Sequence, residues 1–172
     1  VNLQSNDFEL FGVPERFAQD RGAIDARWKD LQREAHPDRF AAQGAAAQRI
    51  ALQWSVRINE AYQRLKDPLK RAAYLCELRG ASIDAEKNTA MPAAFLMEQM
   101  HWREELEEAS GEADLDKLND ELQAARSAAL RAIEHLLDEK NDAHAAAQQV
   151  RALMFIERFG HDVEARYEQL GQ

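Results

Sequence analysis

Apolar residues recur at helical spacing through most of the chain, and Pro and Gly cut that pattern into segments. After a short apolar lead-in, Asp7-Phe8-Glu9-Leu10-Phe11-Gly12, the stretch Pro14-Glu15-Arg16-Phe17 predicts a short helix that Asp20-Arg21-Gly22 breaks. Ile24, Trp28, Leu31 and Ala35 then fall on one helical face. That helix must stop near Ala35, because Pro37 drives His36 out of the α region. A polar loop containing Gly44 follows, and Ile50, Trp54, Ile58, Ala61, Tyr62 and Leu65 mark a longer helix ending near Lys66. Two helices joined by a short loop pack as an antiparallel hairpin. Asp67-Pro68 opens a further helix, Leu69 to Leu78, with Leu69, Ala73 and Cys76 on its apolar face.

The polar stretch from Gly80 to Ala90 reads as a linker. Beyond Pro92 the chain contains no Pro, which permits long helices. Three are expected, at about 92–108, 114–140 and 143–170, separated by Gly111 and by the Asn141-Asp142 cap signal. Leu115, Leu118, Leu122, Ala125, Ala129, Ile133, Leu136 and Leu137 form a seam along the middle one. Val150, Leu153, Ile156, Val163, Tyr167 and Leu170 do the same along the last. Short connections between such helices make an antiparallel bundle.

At 172 residues, with 45% hydrophobic and 31% charged residues, the chain has ordinary globular composition. No stretch is apolar enough for a membrane span and no signal peptide is evident. The lone Cys76 cannot form an internal disulfide and reads as a small core residue, which suits a reducing compartment. The net charge of -9 argues against nucleic acid as a partner. It is unevenly spread: residues 1–80 carry 13 Lys/Arg against 11 Asp/Glu, and residues 81–172 carry 9 against 20. Such a split points to two modules with different partners.

His36-Pro37-Asp38, in the loop of the hairpin, is the sharpest chemical signal. A helix stop followed by a capping acid explains Pro37 and Asp38 but gives no reason for His36. An enzymatic His/Asp pair lacks a nucleophile, a Gly-rich phosphate loop and a metal-ligand set. His101, His135, His144 and His161 lack the mutual i, i+4 spacing of a helical metal site and are expected as surface or packing residues. With its flanks, the Asp7-to-Val13 entry, Asn59-Glu60-Ala61-Tyr62-Gln63-Arg64-Leu65-Lys66-Asp67-Pro68, Arg71 and Tyr74, the tripeptide resembles a J-domain over residues 7 to about 78.

The second half narrows the resemblance. Ala94-Phe95-Leu96-Met97-Glu98-Gln99-Met100, continuing Arg103-Glu104-Glu105-Leu106, is similar to the start of the C-terminal domain of the HscB family, as is Arg71-Ala72-Ala73-Tyr74-Leu75 to its J-domain. That family comprises J-type co-chaperones of iron–sulfur cluster assembly. The resemblance implies an all-α, L-shaped protein with a J-domain at 1–79, a linker at 80–90 and a three-helix bundle at 91–172. It implies a co-chaperone that stimulates the ATPase of a DnaK-type chaperone, HscA, and delivers the scaffold protein IscU to it. It implies no enzyme activity, cofactor or metal, no membrane partner, and the cytoplasm of a bacterium. A J-protein with a broader range of unfolded clients is the alternative.

Chaperone binding is then expected at His36, Pro37 and Asp38, with Arg27, Lys29 and Arg33 on the preceding helix as a cationic surface. Asp25, Asp30 and Glu34 on the same helix dilute that charge. On the first bundle helix Phe95, Trp102 and Leu106 cluster within about 40° and form a core stripe, leaving Leu96, Met97 and Met100 over. On the last helix Phe155 and Met154 fall off the seam. These leftovers predict an exposed apolar surface, the mark of a partner site. The resemblance assigns Leu96, Met97, Met100 and Phe155 to scaffold binding, with Glu98 at the rim and Met154 where a basic residue is usual in the family.

Overall fold

The computed structural model describes residues 1–171, in which helices but no strands occur. The chain divides into two compact units, Val1–Leu75 and Cys76–Gln172.

The first unit begins with α1 (Asp7–Phe11), where Asn6 caps by accepting from the Glu9 amide and Gly12 closes in the left-handed region at φ 64°. The expected helix at Pro14–Phe17 does not form: residues 14–20 are bends and irregular chain. Carbonyls there are taken by side chains instead of by amides four residues on. Gln19 Nε2 donates to the Pro14 and Arg16 carbonyls, and Arg71 Nε to that of Phe17 at 2.7 Å. Asp20 then caps α2 (Arg21–Ala35), which pairs with α3 (Ala45–Lys66). Ile24, Leu31, Ile58, Ala61 and Leu65 are buried between them, but Ile50 is exposed and borders a groove with Phe40 and Trp54. Polar contacts set the hairpin register. Trp28 stacks on Tyr62 with centroids 4.5 Å apart and donates from Nε1 to Asn59, which also accepts from Gln32. Tyr62 donates to Asp25, whose carboxyl is held below its usual range by that bond and by Arg21.

Asp7 is wholly buried and anchors α1 to α3: Arg64 grips it through two bonds of 2.6 and 2.8 Å, and Arg57 adds a third contact at 2.9 Å. Two guanidinium groups satisfy a carboxylate that water cannot reach. In α4 (Pro68–Leu78) the buried side is Arg71, Ala72, Leu75 and Cys76, rotated by one position from the expected Leu69-Ala73-Cys76 face. Gly80 at φ 84° ends that helix, with the Gly80 and Ala81 amides donating to the Glu77 and Cys76 carbonyls.

The second unit contains α5 (Ala93–Glu108), α6 (Glu112–Glu134) and α7 (Ala143–Leu170). The end of α6 loosens into a π-helical turn over His135–Glu139, so the expected helix to Lys140 changes register before it stops. Leu115, Leu118, Leu122, Ile133, Leu137, Val150, Leu153, Ile156 and Val163 are buried as the seams predict, whereas Leu170 is exposed. Residues 80–90 are no free tether. Ala81 and Ile83 are buried, and the buried Arg151 of α7 donates to the carbonyls of Ser82, Ile83 and Ala90 at 3.1, 3.0 and 2.9 Å. By its contacts this segment belongs to the second unit, which begins at Cys76, inside α4.

Candidate functional site

The hairpin tip is built by the residues that end α2. His36 adopts φ -63°, ψ 129°, the extended geometry that a following proline imposes, and the amides beyond it lose their helical acceptors. Pro37 starts a 3-10 segment, Pro37–Gln43, and the His36 ring turns back to cap it: Nδ1 accepts from the Asp38 amide at 3.2 Å. With Nδ1 accepting, a neutral His36 carries its proton on Nε2. Gly44 at φ 100° makes the reversal into α3, a backbone shape that side-chain-bearing residues rarely take. The result is a short rigid loop with its polar groups turned to water: the His36 side chain is 58% exposed and that of Asp38 91%.

Arg27, Lys29 and Arg33, the cations expected to flank the tip, do not form one surface. Lys29 and Arg33 are exposed and four residues apart, so they share a face, and Arg33 lies 3.4 Å from Asp30. Arg27 is half-buried and borders the groove between α2 and α3 beside Glu34. A cation outside the expected set reinforces the tip: Arg39 donates to the Arg33 carbonyl at 3.3 Å and stands over the C-terminal end of α2. Its place follows from the 3-10 segment, which hydrophobic periodicity does not reveal.

The second candidate surface lies on α5. Leu96, Met97 and Met100 are 55%, 69% and 59% exposed, while Phe95 and Trp102 of the same helix are buried. Phe155 is a correction to the expected patch. It is only 9% exposed and sits in the core, stacked on Trp102 and Phe159, edge-on to Phe95 at 5.7 Å, with the Arg103 guanidinium 5.5 Å from its ring centroid. What remains of its surface forms part of the floor of a groove between α5 and α7, with Leu106, Phe159, Arg103 and Arg158 around it. Met154 is half-buried and Glu98 exposed. The structure therefore leaves three projecting side chains on α5 and a recessed aromatic floor, not four converging knobs.

Residues 91–164 match a family model described as the HscB C-terminal oligomerisation domain. The chain is 50% identical to the co-chaperone protein HscB homolog of Burkholderia thailandensis over 173 residues, covering 99% of this chain and 98% of the relative. The homolog of Burkholderia multivorans matches with the same identity and coverage. Chaperone HscB from Vibrio cholerae superposes with a TM-score of 0.87 at 40% identity, covering 96% of this chain and 99% of the other. The human co-chaperone protein HscB has the same fold, with a TM-score of 0.87 at 24% identity over 96% of this chain and 84% of that one.

Proposed function

The chain belongs to the HscB family of co-chaperones, and from that premise we propose that it stimulates the ATPase of a dedicated, HscA-like DnaK-type chaperone while delivering an IscU-like scaffold of iron–sulfur cluster assembly to it. The observation that carries this reading is the hairpin tip, where His36, Pro37 and Asp38 are held outward on a capped loop that no core contact requires. Pro37 and the His36 cap lower the cost of ordering the loop on binding. Asp38 offers an exposed carboxylate, 3.6 Å from His36 Nδ1, for a charge-assisted bond to a partner arginine, and His36 offers Nε2–H and a ring face. Lys29, Arg33 and Arg39 give the tip a cationic flank that suits an acidic chaperone surface. Arg27 takes part at the groove edge. No group here needs to move a proton or form a covalent bond, so the protein acts through binding, without a cofactor of its own.

Scaffold binding falls to α5. Leu96, Met97 and Met100 supply adaptable apolar contact, Glu98 a polar rim, and Phe155 the floor against which an inserted side chain would rest, with the half-buried Met154 next to Phe155 in sequence as a further candidate. The reading places the protein in the bacterial cytoplasm, where both partners would work.

Single-turnover ATP hydrolysis by the chaperone tests the first half. Asp38→Asn and His36→Gln abolish stimulation while leaving helix content and scaffold binding unchanged. Stimulation at the wild-type level by both variants removes the J-domain role. Calorimetry with the scaffold tests the second half: Leu96→Ala and Met100→Ala each weaken binding by on the order of 2 kcal/mol, about thirtyfold. Full affinity in both variants moves the scaffold site elsewhere.

A further inference from the structure

We propose that His101 and Glu105 of α5 and Glu121 of α6 form a binding site for a divalent transition-metal cation, Zn²⁺ or its close relatives, that ties the two helices together. Neither half of the co-chaperone reading uses these residues. His101 and Glu105 stand four apart on α5, so their side chains lie on one face, and Glu121 meets them from the neighbouring helix. His101 Nε2 lies 3.0 Å from Glu105 Oε1 and 3.5 Å from Glu121 Oε2, and one ligand atom from each residue falls within 4.8 Å of the others. Ligands on a tetrahedral centre with bonds of about 2.0–2.1 Å are separated by about 3.3 Å, so these spacings already suit one ion with little movement.

A second observation points to a missing partner. Glu105 Oε2 is shut off from solvent with no amide, hydroxyl or cationic donor on it, and the Glu105 carboxyl lies within hydrogen-bond reach of Glu121. A buried acceptor without a donor is rare and costly, and it calls for an unseen proton, water or cation. Burial, and then the Glu121 carboxylate set against it, push the Glu105 carboxyl above its usual range. His101 and Lys117 oppose that shift by attraction, yet neither supplies a bond to Oε2. A cation between the three side chains would remove the repulsion between the carboxylates.

The donor set selects the ion. One imidazole nitrogen with two carboxylates suits Zn²⁺, Co²⁺ or Ni²⁺ better than Mg²⁺ or Ca²⁺, which prefer oxygen alone. Three protein ligands leave at least one position for water or for a group brought by a partner. His101 is 56% exposed, so the ion can enter from solvent.

Calorimetric titration of the full chain with ZnCl₂ tests the site, with the visible spectrum of the Co²⁺ form as a direct report on coordination. The expected result is saturable binding of one equivalent, a tetrahedral-type Co²⁺ absorption, and an unfolding midpoint raised by Zn²⁺. His101→Gln, Glu105→Gln and Glu121→Gln each weaken binding by about tenfold or more, while His135→Gln, which disrupts the His135–Glu139 pair, leaves it unchanged. Glu121→Gln lies on the other helix, so it decides the matter even if a change on α5 disturbs folding. No saturable heat would mean that the three residues share only protons. Binding that survives all three substitutions would put the ion elsewhere. Either result overturns the proposal.

Discussion

The two units are held together by different means. In the first, charged and polar side chains make the decisive contacts: Asp7 with Arg57 and Arg64, Arg71 with two backbone carbonyls, and Asn59 with Trp28 and Gln32. In the second, the bundle closes on Leu, Ile, Ala and aromatic rings, with Arg151 as its main buried polar tie. A short hairpin with one small helix across it has too little apolar surface to fix its register by packing alone. Directional bonds specify what a narrow core cannot. Three long helices bury enough surface to need few such bonds.

The strongest test of this contrast is Phe155→Ala. If the second unit rests on packing, removing a ring that touches Phe95, Trp102 and Phe159 costs about 3–5 kcal/mol of its stability, read by denaturation with Trp102 fluorescence. A midpoint shift as small as that of a surface change would return Phe155 to the exposed patch that its position along the helix suggests.

Asp7→Ala is the counterpart. It leaves two guanidinium groups facing each other and costs about 3 kcal/mol, the low end for a buried pair because Arg64 keeps partial access to water. Hydrogen exchange read segment by segment would show protection lost across α1 and α3 and retained in α6 and α7. Equal loss in all four helices would make the units one cooperative body and erase the contrast.

Smaller effects sharpen the picture. Leu96→Ala and Met100→Ala change stability by no more than about 0.5 kcal/mol, since these side chains have little packing to lose. A larger drop would make them structural. The smallest effect concerns Cys76, whose thiol burial pushes up from 9.0 to about 11. Because the folded-state value is raised, the stability gained from the neutral thiol is full below about pH 9 and is lost as pH rises through about 11. Alkylation near pH 8 should be slow in the folded protein and fast in denaturant. Equal rates would mean that the thiol is accessible.

Much of the molecule could be read from the chain because its signals are local. Pro37 dictates where α2 stops, the Ile58-Ala61-Leu65 stripe dictates which face of α3 is buried, and Leu96, Met97 and Met100 project from α5 as their angles imply. The misreadings arose where distant residues decide. Asp7 looks like a first-turn acid, since the arginines that bury it lie 50 and 57 residues later. Phe155 looks surplus because one seam was allotted to α7, yet Ala146, Ala147 and Ala152 let neighbours approach closely and widen its buried arc. Pro14 looks like a helix start until Gln19 and Arg71 claim the nearby carbonyls. His101 lacks a spaced histidine, and one of its two acidic contacts comes from Glu121 on another helix.

The Asp7 clamp also bears on the order of events during synthesis. Asp7 leaves the ribosome well before its bidentate partner Arg64, which follows 57 residues later. At about 5–20 residues per second the carboxylate waits roughly 3–11 s for that arginine. Until α3 is complete α1 lacks most of its docking surface, and Phe8 and Phe11, among the most deeply buried rings in the finished protein, stay largely in water. A nascent chain paused before Arg64 would therefore display to the cell's folding machinery the same kind of unsatisfied apolar segment that chaperones exist to bind.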